Sequence, residues 1–294
     1  MKKRFNFYPY IYILPGFIFL GIFIYSGIFY NGYISLFKWN GVSLDKDFIG
    51  FDNYIKLFSD ARFYNSLTNT LYVALSSIVI TLVMGYMIAL MLTFVNTKLQ
   101  YLFKTIFFLP FALAQVIIGY CFSLLVLEPN YGYVNGILKL IGVEPVNWTG
   151  NIRIVLISVI IAWIFYLMGM AMVIYYTSIL SVPMEVIESA RVDGAGFFQI
   201  AFRIIYPMLQ STHVTLIIIS IVAATRLFDL VWVMTGGGPA GYSEITSIFI
   251  FNETMINYKQ GYASAASSVI LVFILTVTII IMSLQNRQRA KRGW

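Results

Sequence analysis

Charge is scarce in this chain of 294 residues: Asp, Glu, Lys and Arg make up 11% of it, against roughly a quarter in a soluble domain. With 60% hydrophobic residues and a mean hydropathy of +0.84, a soluble domain is excluded and a polytopic membrane protein is indicated. The single cysteine, Cys121, excludes an internal disulfide. The single histidine, His213, has no second histidine or cysteine near it, so no metal site is expected; a lone histidine at the start of an apolar run ordinarily marks only the membrane interface. No G-x-x-x-x-G-K-[ST] segment occurs, so the chain has no usual cradle of its own for ATP phosphates. Residues 236–241, GGGPAG, fit G-x-G-x-x-G in form only. An apolar run precedes them where a dinucleotide site needs a strand, and Pro239 removes an amide, so the segment is expected to be a flexible turn. No carboxylate pair, nucleophile–base pair or GxSxG stands out, so the chain reads as a non-enzyme. Any work that needs energy would have to draw on an ion gradient or a separate ATPase.

What is present is apolar length. A span needs about 20 apolar residues, and six runs supply them, at about 10–30, 68–95, 105–127, 152–176, 211–234 and 263–284. The first follows MKKRF as a secretory signal would, but it is too long for a signal core and no small-residue cleavage site follows, so it reads as a retained span. Pro15, Pro110 and Pro207 fall near span starts, where no forced kink is expected.

Lysine and arginine set the sidedness. One set of connections holds eleven bases (Lys2, Lys3, Arg4, Lys98, Lys104, Arg191, Arg203, Arg287, Arg289, Lys291, Arg292) against three acids. The other holds seven bases against eight acids. This asymmetry predicts that both termini and the 177–207 loop are cytoplasmic. The basic tail is then a topology signal at a lipid surface, and no nucleic-acid binding is expected.

The connection 183–207, PMEVIESARVDGAGFFQIAFRIIYP, has helical grammar of its own. Pro183 suits a helix start, Glu185 suits the positive end of the dipole, and Gly194 and Gly196 break the helix before a second amphipathic segment. Helix, tight turn, helix at a membrane surface leaves one face for a partner.

That segment resembles the cytoplasmic loop of permease subunits in binding-protein-dependent ATP-driven importers: E-A-A, three residues, G, nine residues, I-x-L-P. Glu188-Ser189-Ala190 is followed by Arg191-Val192-Asp193-Gly194 and, after nine residues, Ile204-Ile205-Tyr206-Pro207. Ser189 and Tyr206 depart from the pattern, and Asp193-Gly194-Ala195 matches its carbohydrate-uptake branch, the maltose- and glycerol-phosphate-like importers. The segments Phe51–Tyr54, Phe63–Thr70, Tyr131–Gly136 with Trp148, Thr235–Pro239 and Gly261–Ala265 are similar to that branch too, although aromatics next to spans are also an ordinary interfacial belt. Ala195-Gly196-Phe197-Phe198-Gln199 looks more like the first than the second permease of a pair.

The resemblance implies an all-α polytopic membrane protein with six transmembrane helices, both termini cytoplasmic, in the type I ABC importer permease fold. Residues 1–294 would form a single transmembrane permease domain, with 177–210 its cytoplasmic coupling loop. It implies a multi-pass protein of the bacterial cytoplasmic membrane that pairs with a homologous second permease. Two cytoplasmic ATPase subunits would carry ATP and Mg, none being bound by this chain, and an extracytoplasmic binding protein would deliver a sugar or related solute. Coupling to the ATPase is carried over to Glu188, Ser189, Ala190, Asp193, Gly194, Ala195 and Pro207. An ion-gradient-driven secondary transporter is the alternative; it predicts inverted repeats and charges deep in several spans. Here only the fifth span holds them. Arg226 and Asp229 are spaced three apart, so on a helix they would share a face, either as a structural ion pair or as lining or gate of the solute path. Gln115, Tyr120 and Asn69 are weaker lining candidates.

Overall fold

The computed structural model describes residues 8–93 and 97–292, with side chains from 12–93 and 97–287. Lys2, Lys3 and Arg4 lie outside the described residues, as do the side chains of Arg289, Lys291 and Arg292. Among the described residues, four helices are long and apolar enough to cross a bilayer: Tyr12–Ile34, Ala61–Leu92, Val155–Leu180 and Gln260–Arg287. Two bent pairs raise the number to six if each is one span. Thr97–Ala112 with Gln115–Val126 bends by 95°, and Phe197–Met208 with Gln210–Thr225 bends by 69°. Helices suit such a sequence because a backbone in hydrocarbon must bond within its own segment.

The bends correct two expectations. Pro110 lies inside Thr97–Ala112, and the chain turns extended at Ala114 (ψ 141°) before helix resumes at Gln115. The proline is carried inside the first helix of the pair, and the break falls three to four residues beyond it, so the third run is interrupted mid-span. The fifth run is not one straight helix either. Gln210–Thr225 ends at Arg226, Phe228 takes φ −133°, and a separate helix begins at Asp229.

The chain divides into two compact units, Met1–Asp60 with Ile250–Phe273, and Ala61–Phe249 with Ile274–Trp294. The first unit contains Tyr12–Ile34 and a two-stranded antiparallel hairpin that pairs Phe37 with Phe48 and Lys38 with Asp47. Asn53, which reads like part of an aromatic belt, is instead a buried pin: its amide donates to the carbonyls of Ser35 (2.8 Å) and Phe37 (2.9 Å). Gly261 passes so close to the Phe37 carbonyl that any side chain there would collide with it.

The second unit has two apolar cores. One surrounds Trp163, with Val73, Phe122, Leu227 and Ile248; the indole donates to Ser77 Oγ at 2.8 Å. The other surrounds Tyr86 and Tyr175, with Met172, Ala190, Ile205 and Leu216. Close helix approach at small residues makes the second possible. A Cβ on Gly85 would sit 2.7 Å from that of Ala171, and one on Gly169 would strike the backbone at Phe107 and Phe108. Thr81 and Ser220 hydroxyls meet at 3.2 Å, so a buried polar group of each helix is satisfied by the other.

Candidate functional site

The surface segment after Val155–Leu180 is a helix, Met184–Val192, opened by Pro183 in the N-cap position, one residue earlier than a first-turn proline. Four of its exposed residues, Glu185, Glu188, Ser189 and Val192, recur at i, i+3, i+4 and i+7 and form one stripe, with Met184 and Arg191 exposed beside it. Val192 is 87% exposed, an apolar side chain with nothing of this chain over it. Ala190 points the other way and is buried in the Tyr86–Tyr175 core, with Ile187 packed beside it.

Gly194 sets how this helix ends. Its φ is +81°, its amide donates to the Arg191 carbonyl (3.0 Å), and the Ala195 amide reaches back to the Ala190 carbonyl (2.9 Å). These two bonds are the pair that closes a helix through a left-handed residue. Ala195, half-buried, packs against the core that holds Ala190, completing the apolar contact of that motif. Asp193, exposed, is the C-cap. Gly196 then caps the return helix, Phe197–Met208, and its amide donates to Gln199 Oε1 at 2.9 Å. Pro207 is exposed in the last turn before the 69° bend. The matched residues therefore form one continuous structure: a stripe, a rigid turn and a return helix. A cavity of about 420 Å³ opens beside it, lined by Leu90, Ile179, Met184, Ile187, Arg191 and Phe197, among others.

The proposed lining residues do not converge in the same way. Arg226 and Asp229 are both exposed, and no ion pair joins them. The helix break between them removes the shared face that their spacing suggested. Asn69 is 6% exposed, and its amide is taken by the carbonyls of Tyr242 (3.2 Å) and Glu244 (2.9 Å). It is a structural pin. Gln115 is half-buried at the start of the short helix after the 95° bend, and Tyr120 is exposed near that helix's end.

The glycine-rich segment is pinned rather than flexible. Gly236, Gly237, Ala240 and Gly241 all have positive φ, and the Gly238–Pro239 bond is cis. Ser243 Oγ donates to the Gly238 carbonyl at 2.6 Å, and Asn65 donates to the Gly241 carbonyl at 2.9 Å. Arg62 forks onto Glu244 at 2.7 and 2.6 Å, with the carboxylate only 2% exposed as a residue. Neither Arg62 nor Glu244 was singled out by sequence reasoning, because they lie 182 positions apart. Asn135, fully buried, is similar: it donates to the Val146 carbonyl (2.9 Å) and accepts from Trp148 Nε1 and the Val146 amide, both at 3.0 Å.

Residues 81–291 match the family described as binding-protein-dependent transport system inner membrane component. A probable ABC transporter permease protein, YurN, of Bacillus subtilis (strain 168) is 34% identical over 277 residues, which cover 93% of this chain and 94% of that protein. The trehalose/maltose transport system permease protein MalF of Thermococcus litoralis is 28% identical over 280 residues, 95% of this chain and 94% of that one. Among solved structures, a chain of a bacterial alginate ABC transporter, in complex with alginate pentasaccharide-bound periplasmic protein, superposes with a TM-score of 0.82 at 24% identity, covering 96% of this chain and 94% of that chain.

Proposed function

The chain belongs to the binding-protein-dependent transport system inner membrane family, and on that premise we propose that it forms, with a second homologous permease, the path of an ATP-driven importer for a sugar or related carbohydrate. One observation carries the coupling part: the exposed stripe Glu185–Glu188–Ser189–Val192 on a surface helix whose end is fixed by a left-handed glycine. A stiff element with one free face is what a separate ATPase needs in order to move the bundle. The carbohydrate class rests on the names of relatives such as the trehalose/maltose permease and on the alginate importer's likeness in fold.

In this reading both termini and the surface helix are cytoplasmic, in the cytoplasmic membrane of a bacterium. Two ATPase subunits holding ATP and Mg dock beneath, and a binding protein delivers solute on the other side. Glu188, Ser189 and Asp193 face the ATPase. Ala190 and Ala195 act from beneath by holding the helix to the core, and Gly194 sets its angle. Closure of the ATPases moves the helix, and rocking of the spans alternates access to the path.

The test is reconstitution into proteoliposomes with an ATPase, a second permease and a binding protein of the same organism. Uptake of a labelled sugar should require ATP, all partners and an intact 183–207 segment. Uptake by the purified chain alone, driven by an ion gradient, refutes the reading.

A further inference from the structure

The lone histidine occupies the bend that joins the return helix to the span Gln210–Thr225. Leu209 stands at that bend with φ −86° and ψ 20°, and the helical bonding pattern is interrupted there. The Tyr206 carbonyl accepts the Leu209 amide there at 3.2 Å, and a carbonyl oxygen has a second lone pair to offer. His213 fills it: Nε2 lies 2.9 Å from the Tyr206 carbonyl oxygen. Because a carbonyl only accepts, Nε2 carries the proton, and Nδ1 is left with a lone pair. Into it the Tyr175 hydroxyl donates at 2.7 Å. Tyr175 is fully buried on Val155–Leu180, so one imidazole ties the bend to a second span. A parallel tie comes from Ala61–Leu92, where the buried Tyr86 hydroxyl donates to the Ala201 carbonyl at 2.6 Å. The rings close the cluster: Tyr206 lies 4.2 Å from His213 and 5.1 Å from Tyr86, centroid to centroid.

We propose that His213 is a positioning residue for energy coupling: by bonding the Tyr206 carbonyl and Tyr175 at once, it makes the return helix and the spans move as one body when a partner displaces the surface helix. Without it the 69° bend becomes a hinge, and displacement is absorbed at Leu209 instead of reaching the spans. The inference rests on the coupling role proposed above and adds the link behind it. In this inference His213 acts through Tyr206 rather than by meeting a partner or solute itself.

The test uses the complete reconstituted transporter and reads solute molecules imported per ATP hydrolysed, a ratio that loss of assembled complex alone does not change. His213→Phe keeps the ring contact and removes both bonds; the ratio is expected to fall about fivefold or more, since each bond contributes about that factor. His213→Gln, whose amide can still donate to Tyr206, is expected to recover most of the loss. Tyr175→Phe deletes one oxygen and leaves every ring in place; the ratio is expected to fall about two- to fivefold. A wild-type ratio in His213→Phe, or a His213→Gln as uncoupled as His213→Phe, overturns the inference. Should His213→Phe fail to assemble, Tyr175→Phe decides alone, and an unchanged ratio overturns it. A wild-type complex that imports nothing on ATP would instead refute the transport reading itself, so the two failures are distinguishable.

Discussion

Replacement of Gly194 isolates a backbone effect, because the space around it is empty. A Cβ built on Gly194 meets no atom of the chain within 4 Å, yet its φ is +81°. Any cost of a side chain in the isolated subunit therefore comes from the left-handed conformation. For alanine that cost is about 1–2 kcal/mol; for a β-branched residue it is greater; asparagine tolerates the region. The chain can relieve the strain only by releasing the Gly194–Arg191 and Ala195–Ala190 bonds, which unwinds the last turn and frees the angle of Met184–Val192. A cost of about 1–2 kcal/mol shifts that equilibrium by roughly 5- to 30-fold. We expect Gly194→Asn to keep solute import per ATP within about twofold of wild type, given that tolerance. Gly194→Ala should lower it about fivefold or more, and Gly194→Val further, with membrane insertion unchanged. The assay is paired uptake and phosphate release in proteoliposomes, with pull-down of the ATPase as a check on assembly. A Gly194→Val protein that couples normally refutes the argument. So does an asparagine variant as impaired as the valine one, since that would place the effect in a crowded partner contact rather than in φ.

Other sites yield simpler expectations. Arg62→Ala removes the two-pronged bond to the buried Glu244 carboxylate, and at about 1–3 kcal/mol it should lower the melting temperature in detergent by several degrees and expose 235–245 to protease; Arg62→Ala with Glu244→Leu should recover part of the loss. Asn135→Ala removes the donor and acceptor that fold residues 128–148 together, and should destabilise by about 2–3 kcal/mol in a thermal melt. Asp229→Asn should leave stability within about 0.5 kcal/mol, because Asp229 is exposed and unpaired with Arg226; a drop in uptake at normal assembly would assign it to the solute path, and a drop in melting temperature would contradict its exposure.

The apolar runs and the 183–207 grammar were legible because both are local. Run length anticipates the four unbroken span helices and the two bent pairs, and the two glycines after the helical segment anticipate the break, of which Gly194 is the left-handed one. What was hidden has long sequence separation or depends on a break. Arg62 and Glu244, or Tyr175 and His213, carry no mark in the sequence of their pairing. Arg226 and Asp229 mislead for the opposite reason. Spacing implies a shared face only on an unbroken helix, and the break at 226–228 lies in a stretch without proline or glycine. Residues 51–70 look like an interfacial belt because their aromatics are conspicuous, while the buried amides of Asn53 and Asn69 hold the structure.

The irregularities in the second unit share a physical logic. Hydrocarbon offers no water to a carbonyl, so where a helix bends or widens a side-chain donor adds to what the backbone supplies. The Leu227 carbonyl, at the 226–228 break, takes the Ser247 hydroxyl. In the wide turn Ile200–Ile205, the Ala201 carbonyl takes Tyr86. At the Leu209 bend the Tyr206 carbonyl takes His213. Ser247 and Tyr86 come from other helices and His213 from across the bend, so the bent places are cross-tied. A straight helix could slide along its neighbours with only packing to resist it, whereas a bent one tied by a hydrogen bond in low dielectric carries its neighbour along. For a subunit worked from its surface by a partner, bends tied in this way turn a push on Met184–Val192 into movement of Ala61–Leu92 and Val155–Leu180 together. Tyr86→Phe and Tyr175→Phe should each lower import per ATP and together lower it more than additively, because with one tie cut the other still limits how far the return helix yields. Strict additivity of the two in a double-mutant cycle would mean that they act as independent contacts and not as one clamp.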